Sequence, residues 1–307
     1  SVLDVASKLN DRYPPDTPLD RAEFLDQRGR IATRLGHNDE AETILQQALD
    51  ITKREAPTND TLLANAYANL GFVKSELGKV TESEKLYEAA VAATRRAYGD
   101  HHAKLAEMLS PYATVLDRAG KPAKADSVYR LVLDMRRKLL GEDHPEYAWT
   151  MFNYADWLRT QQRWSEAADW SRKVLKLRGK TLPDSHMAVA TSMGVLGRAL
   201  GHMDSLDVAE KYLRESLELR QKYLPAGHWL IASSESILGE DFVLAHRYAE
   251  AERLLLPAEK KLVEARGEDA PVVTDARVRI VALYQAWGKP VDAARWQQKV
   301  KAPAPQN

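Results

Sequence analysis

The chain has 307 residues, 44% of them hydrophobic, with 44 basic and 44 acidic side chains and no cysteine. The balanced charge leaves no global field that favours nucleic acid or an anionic membrane, and the missing thiols exclude disulfides, thiolate zinc sites and cysteine nucleophiles together. No apolar run approaches the ~18 residues of a membrane span, and no basic-then-apolar leader follows Ser1. A cytoplasmic chain is therefore expected, or an extracytoplasmic one if a membrane span precedes it in a longer protein.

In chain order, residues 2–13 (VLDVASKLNDRY) read as a helix, with Leu3 and Ala6 standing 42 residues before Leu45 and Ala48. Pro14, Pro15 and Pro18 end it. Residues 1–19 are thus expected to be the truncated helix of a preceding unit and a proline-rich linker. The next unit places Ala41, Ile44, Leu45, Ala48 and Leu49 at i, i+3, i+4, i+7 and i+8, the stripe of an amphipathic helix. That stripe returns as Ala125, Val128, Tyr129, Val132, Leu133 and as Ala251, Leu254, Leu255, Ala258. Steps of 42 residues from Ala41 meet Ser83, Ala125, Ala167, Ala209, Ala251 and Ala293 without a gap. A fixed period of this kind marks a stacked repeat protein.

Twelve residues before each anchor stands a second small column: Gly29, Gly71, Ala113, Ala155, Gly197 and Gly239, broken by Val281. Small residues on facing helices let backbones approach, so both columns predict contacts within one helical hairpin. Between them Gly36, Gly78, Gly120 and Gly288 supply a left-handed turn residue, replaced by Gln162 and His246 in two units. The fifth unit differs: Gly194, Gly197 and Gly201 fall in its first helix, each costing ~1 kcal/mol relative to alanine. This reads as a soft joint, or as a helix that ends early, followed by a longer turn at 202–207. In the last unit Gln297 and Lys301 replace the leucines seen at Leu45 and Leu49, a polar outer face that suits a cap. Residues 302–307 (APAPQN) read as a disordered tail.

These columns resemble the tetratricopeptide repeat: small residue, turn glycine, alanine, aromatic or leucine (Tyr87, Tyr129), then alanine (Ala48, Ala90). The usual period is about 34 residues. Here the additional residues follow the second helix, as in GDHHAKLA (99–106) and GEDHPEYA (141–148), which resembles the longer repeats of kinesin light chains and their bacterial relatives. The resemblance covers residues 20–301 in seven units. It implies an all-α solenoid of about seven helix-turn-helix repeats wound into a right-handed superhelix. The opening residues resemble the segment where such an array begins behind the kinase domain of certain bacterial serine/threonine kinases. Under that reading the chain is the regulatory or sensory arm of a larger signalling protein, such as a kinase or a transcription regulator.

Chemistry is sparse. His102, His144, His186 and His228 recur at the period, with Asp60 and Ala270 in the flanking slots. Equivalent atoms in neighbouring repeats stand at least ~10 Å apart, whereas zinc ligands each reach within ~2.1 Å of one ion. These histidines cannot converge on a metal; each precedes a first helix, where a polar side chain ties down the entry turn. There is no phosphate-cradling glycine loop, no GxSxG and no HExxH, so neither catalysis nor a cofactor is expected.

Tryptophan crowds into the fourth unit as Trp149, Trp157, Trp164 and Trp170, most of them expected to pack. In tetratricopeptide arrays the first helices line a concave groove, and by that register Trp149, Phe152, Asp156 and Arg159 face it. Neighbouring units add Asn65, Phe72, Thr114, Asp117, Arg118 and Arg198, and the first adds Arg30 and Arg34. Asn69 and Asn153 resemble asparagines that hold a peptide backbone in related arrays. An aromatic anchor ringed by guanidinium groups suits an acidic or C-terminal peptide, because arginine pairs with carboxylate bidentately. The function expected is a non-catalytic protein-interaction scaffold, with self-association possible through the open N-terminal end. No nucleic acid and no membrane insertion are expected.

Overall fold

The computed structural model describes residues 17–183 and 186–300, which contain fourteen α-helices and no strand. The opening helix expected over 2–13, with Pro14 and Pro15, lies outside the described residues, as do Lys301 and the tail at 302–307. The chain divides at Glu142/Asp143 into two compact units. In the first, three hairpins follow one another: α1 (Pro18–Arg34) with α2 (Asn38–Glu55), α3 (Asp60–Glu76) with α4 (Val80–Tyr98), and α5 (Ala103–Arg118) with α6 (Pro122–Leu140). The second unit holds four: α7 (Pro145–Thr160) with α8 (Trp164–Thr181), α9 (Met187–Gly201) with α10 (Leu206–Tyr223), α11 (Trp229–Leu244) with α12 (Tyr248–Arg266), and α13 (Pro271–Ala286) with α14 (Pro290–Gln297). In each unit the first helices of successive hairpins touch one another, and each second helix packs against the first helix of the next hairpin. A layer of first helices results, backed by a layer of second helices.

In four hairpins the seam is a leucine or tyrosine seated on a glycine. A Cβ at Gly29 would stand 2.5 Å from Leu45 Cγ, one at Gly197 2.7 Å from Leu213 and one at Gly239 2.7 Å from Leu255. Only a missing side chain permits that approach. Ser83 replaces alanine without penalty because its buried hydroxyl donates to Gly71 O across the seam (2.7 Å).

Every hairpin turn closes the same way. A residue at positive φ stops the first helix, and the next N–H returns five residues, from His37 to Ala32 O, Lys79 to Lys74 O and so on to Lys289 to Tyr284 O. Gln162 (φ 58°) and His246 (φ 58°) take that conformation although neither is glycine. The fifth turn is longer by one residue, 202–205 against three residues in each of the other hairpins, in line with the expectation from 202–207. Asp204 (φ 56°) falls in the same column, and Ser205 N–H reaches Leu200 O (3.1 Å). The added residue comes from α9, which ends at Gly201, one position before its counterparts on the other first helices. Gly197 and Gly201 have packing reasons, since a Cβ at Gly201 would stand 2.7 Å from Asp241 Oδ1. Gly194 is different: a Cβ there meets only Ser216 Oγ, at 3.9 Å.

The histidine column is a set of helix caps. His102, His144, His186 and His228 each accept through Nδ1 from the backbone N–H two residues on, at 3.1–3.2 Å. In the second hairpin the cap is Asn59, accepting from Leu62 N (3.1 Å), while Asp60 accepts from Arg96 (2.6 Å). Ala270 caps nothing.

A second periodic device links successive hairpins. The acid one residue after the small anchor meets the base that opens the next second helix: Glu42 with Lys79 (2.7 Å), Glu84 with Lys121 (2.6 Å) and Glu210 with Arg247 (2.6 Å). The corresponding slots at the entry to the fifth hairpin hold Ala168 and Ser205, which form no ion pair.

Candidate functional site

The residues singled out by register lie on first helices, and each unit brings part of the set together. In the first unit, Asn65, Asn69 and Phe72 of α3 line an open cavity of about 380 Å³ whose far wall includes Lys104, Glu107 and Met108 of α5. Phe72 is 46% exposed. Asn69 Nδ2 donates one hydrogen bond to Asp26 Oδ1 (2.8 Å) on α1. Burial raises the Asp26 pKa, opposed by that hydrogen bond and by the charge of Arg30. Arg30 and Arg34 are exposed on α1. Thr114 lies 3.4 Å from the Tyr129 hydroxyl, and Asp117 is half-buried. Arg118 is tied down: Nη1 donates to Ser75 Oγ (2.7 Å) and to Glu76 Oε1 (3.1 Å) on the preceding first helix.

In the second unit Trp149 is 52% exposed, its ring 5.8 Å from that of Phe152. Phe152 and Asp156 of α7 and Arg198 of α9 line a cavity of about 230 Å³, with Gly194 and Val195 of α9, Leu213 and Arg220 of α10, and Trp229 and Ile237 of α11. Trp149, Asn153 and Arg159 lie outside that lining. Arg159 Nε donates to Asp156 Oδ1 (2.8 Å), and Arg198 Nε donates to Glu240 Oε2 (3.1 Å). Burial would raise Glu240, yet a hydrogen bond from His202 and the charges of Arg198 and Arg279 hold it well below the usual carboxylate range.

These pairings follow from the period. Residues 42 apart stand side by side on neighbouring first helices, so Arg118 meets Glu76 and Arg198 meets Glu240. Charges along one column can therefore neutralise one another, which a reading of each repeat by itself does not show.

Sequence reasoning missed the buried arginines. Arg136, Arg178 and Arg220 occupy one column of the second helices, following Thr52 and Thr94. Arg178 Nη1 donates to Ala188 O (2.7 Å) and Ser192 Oγ (2.6 Å), and its guanidinium lies 4.9 Å over the Phe152 ring. Arg220 repeats the pattern one unit on, with Nη1 donating to Leu230 O (3.3 Å) and Ser234 Oγ (2.6 Å). Burial pushes Arg178 down to about 10 and lowers Arg220 as well. The 42-residue recurrence of arginine was the available signal.

A helical hairpin repeated with a small-residue seam, a left-handed turn and a capped first helix defines an α-hairpin repeat protein. Profiles described as tetratricopeptide repeat match residues 21–59 and 189–230 in one case, and 62–138 and 106–180 in another. The chain belongs to the tetratricopeptide repeat family.

A search of curated proteins finds no match. Among solved structures, the kinesin-light-chain-like resemblance is met by the nearly identical TPR-like repeats of a Podosopora anserina putative kinesin light chain. That chain is 20% identical with a TM-score of 0.56, and the match covers 66% of this chain and 95% of that one. The apo form of RapI matches with a TM-score of 0.71 at 12% identity, over 91% of this chain and 96% of that one. The apo form of the quorum sensor NprR from B. thuringiensis gives a TM-score of 0.70 at 13% identity, over 97% and 79%. At these identities the likeness is one of fold.

Proposed function

We propose that this chain is a protein-interaction scaffold that docks an extended peptide or partner segment on its first-helix faces. The observation that carries this reading is an open cavity in each unit with a large exposed aromatic side chain at hand: Phe72 lines one, and Trp149 stands 5.8 Å from Phe152, which lines the other. Rigid aromatic rings beside concavities are the anchors from which interfaces draw most of their energy. Sharing a fold with a quorum sensor is in keeping with a role in recognition. Because Arg118, Arg159 and Arg198 already have carboxylate partners, the aromatic side chains carry the energy of docking and the exposed Arg30 and Arg34 steer acidic segments towards it.

Selection of a random peptide library on the whole chain tests this. Peptides recovered on the native chain are expected to lose about tenfold or more in affinity, the weight of an anchor aromatic, on Phe72→Ala or Trp149→Ala. They should be indifferent to Val208→Ala on the exposed face of α10. Peptides that respond to Val208→Ala and ignore both aromatic substitutions would place docking elsewhere.

A further inference from the structure

We infer that two copies of this chain join through the outer face of α6, the two helices antiparallel about a two-fold axis at Met135, with Leu131 of each copy over Leu139 of the other. This goes beyond the docking reading and does not rest on it.

The first observation is a cavity of about 370 Å³ between the second helices α4 and α6, which shares no lining residue with either first-helix cavity. Its floor is Leu105 and Met135, both buried, and its walls include Leu131 and Leu139, which are 40% and 43% exposed. The five α6 residues that line it, Leu131, Asp134, Met135, Lys138 and Leu139, follow i, i+3, i+4, i+7 and i+8. That is the spacing of one helix face. The inner stripe of α6 is already spent on its own hairpin, where Ala125, Tyr129, Val132 and Leu133 are buried. A second stripe on the same helix has no neighbour within the chain to cover it.

The second observation is that the repeat does not call for these leucines. No other second helix carries a large apolar residue at both addresses, as Gln47 with Glu55 and Lys173 with Thr181 show. Both departures fall on one helix and on one cavity. Two apolar side chains held out together towards water mark an interaction surface.

The occupant follows from charge and symmetry. At the rim Arg95 pairs with Asp100 (3.2 Å) and Lys138 with Asp134 (2.6 Å), so two acids and two bases surround the apolar stripe. Such a rim has no net sign to select an acidic or a basic partner, but it complements itself. The whole chain is neutral as well, with 44 basic and 44 acidic residues, so copies do not repel one another. Leu131 and Leu139 are equidistant from Met135, as a two-fold contact between identical helices requires. In that register Asp134 lies about 3 Å along the helix axis from Lys138 of the second copy, within reach of a lysine. A small ligand is largely enclosed by its site, whereas half-exposed leucines are covered only by another surface.

Sedimentation velocity of the whole chain tests this. One helix face with its flanks is smaller than a standard interface, so the mass should rise from 34.5 kDa towards twice that between about 1 and 200 μM. The double variant Leu131→Glu/Leu139→Glu installs residues that Glu215 and Glu55 already exemplify at these addresses, and it sets like charges opposite one another. Self-association should weaken about a hundredfold or more. Val208→Glu, an equally exposed apolar position in the second unit, should associate as the native chain does. Asp134→Lys and Lys138→Asp should each weaken self-association about tenfold, and an equimolar mixture of the two should recover it as a heterodimer. A native chain that stays at 34.5 kDa throughout overturns the inference. So does a double variant that still pairs, a loss on Val208→Glu, or a mixture no heavier than its two components. The docking reading is tested apart from this, by the response of selected peptides to Phe72→Ala and Trp149→Ala.

Discussion

The same address in the repeat is answered differently in the first two hairpins and in the fourth and fifth. In the first two hairpins of the first unit, the column holds Thr52 and Thr94, whose buried hydroxyls donate back to Ala48 O and Ala90 O of their own helices (both 2.8 Å). There the link to the next hairpin is made at the rim, by Glu42 between Lys74 (2.5 Å) and Lys79 and by Glu84 with Lys121. In the second unit the column holds Arg178 and Arg220, which cross the interface and grip a carbonyl and a serine on the next first helix. At the junction of α8 with α9, where Ala168 and Ser205 supply no rim pair, Arg178 makes the link instead. One backbone register thus accepts a locally satisfied residue or a bridging one. Only the bridging one places a buried charge beside the first-helix cavity.

The largest test of this contrast removes the bridge. Arg178→Ala takes out a side chain that fills the interface, covers Phe152 and donates twice, and should lower the unfolding free energy by about 4 kcal/mol. Arg178→Met, which keeps the length, should recover most of that. Thr94→Val, which removes a bond within one helix, should cost about 1 kcal/mol or less. Denaturant unfolding measures all three, and equal losses for Arg178→Ala and Thr94→Val would dissolve the distinction.

A second contrast lies in the column Val73, Val115 and Asp241. The valines of the first unit are buried core residues, and in the sixth hairpin a carboxyl group takes their place at 3% exposure, its Oδ1 without a partner. Burial, together with the charge of Glu210, pushes Asp241 up to about 6 from its ordinary 3.8. The folded chain therefore keeps this proton up to about pH 6, while the unfolded chain releases it near 3.8. Stability contributed below pH 3.8 is lost as the pH rises through about 6. Asp241→Val should raise stability at pH 7–8 by about 3 kcal/mol relative to its effect at pH 3.5, because each tenfold difference in proton affinity between the folded and unfolded chain is worth ~1.4 kcal/mol. Melting curves of the two proteins that stay parallel across that range would refute the assignment.

The period, the hairpins and the cap role of the histidines were legible because each is a local, repeated consequence of backbone geometry. The fifth turn reads as longer and is so by one residue, but its left-handed residue is hidden because Asp204 stands where other units carry glycine, although aspartate tolerates that conformation. The candidate site was legible only in placement. Register put Phe72, Trp149 and Phe152 on first helices, but whether Arg118 or Arg198 is free to meet a ligand depends on which residue the neighbouring hairpin presents. That information sits 42 residues away, at Glu76 and Glu240. Arg220 escaped notice for another reason, since a buried arginine on a second helix reads as a surface charge, while Gly194 reads with Gly197 and Gly201 as a weak point of its helix.

The glycines of α9 give the smallest and sharpest test, because two of them three residues apart should respond with opposite sign. Gly197→Ala drives a Cβ to within 2.7 Å of Leu213 Cγ and 3.2 Å of Ala209 O. A flexible side chain can turn away, but a carbonyl fixed in its helix cannot, so the seam must open at a cost of about 2 kcal/mol. Gly194→Ala meets nothing closer than Ser216 Oγ and gains the helix preference of alanine, about 1 kcal/mol. Denaturation midpoints of the two single variants measure both effects. If both substitutions stabilise, the seam is looser than the Gly197–Leu213 contact implies. If both destabilise, the space above Gly194 is not open, and the cavity it floors cannot receive a side chain.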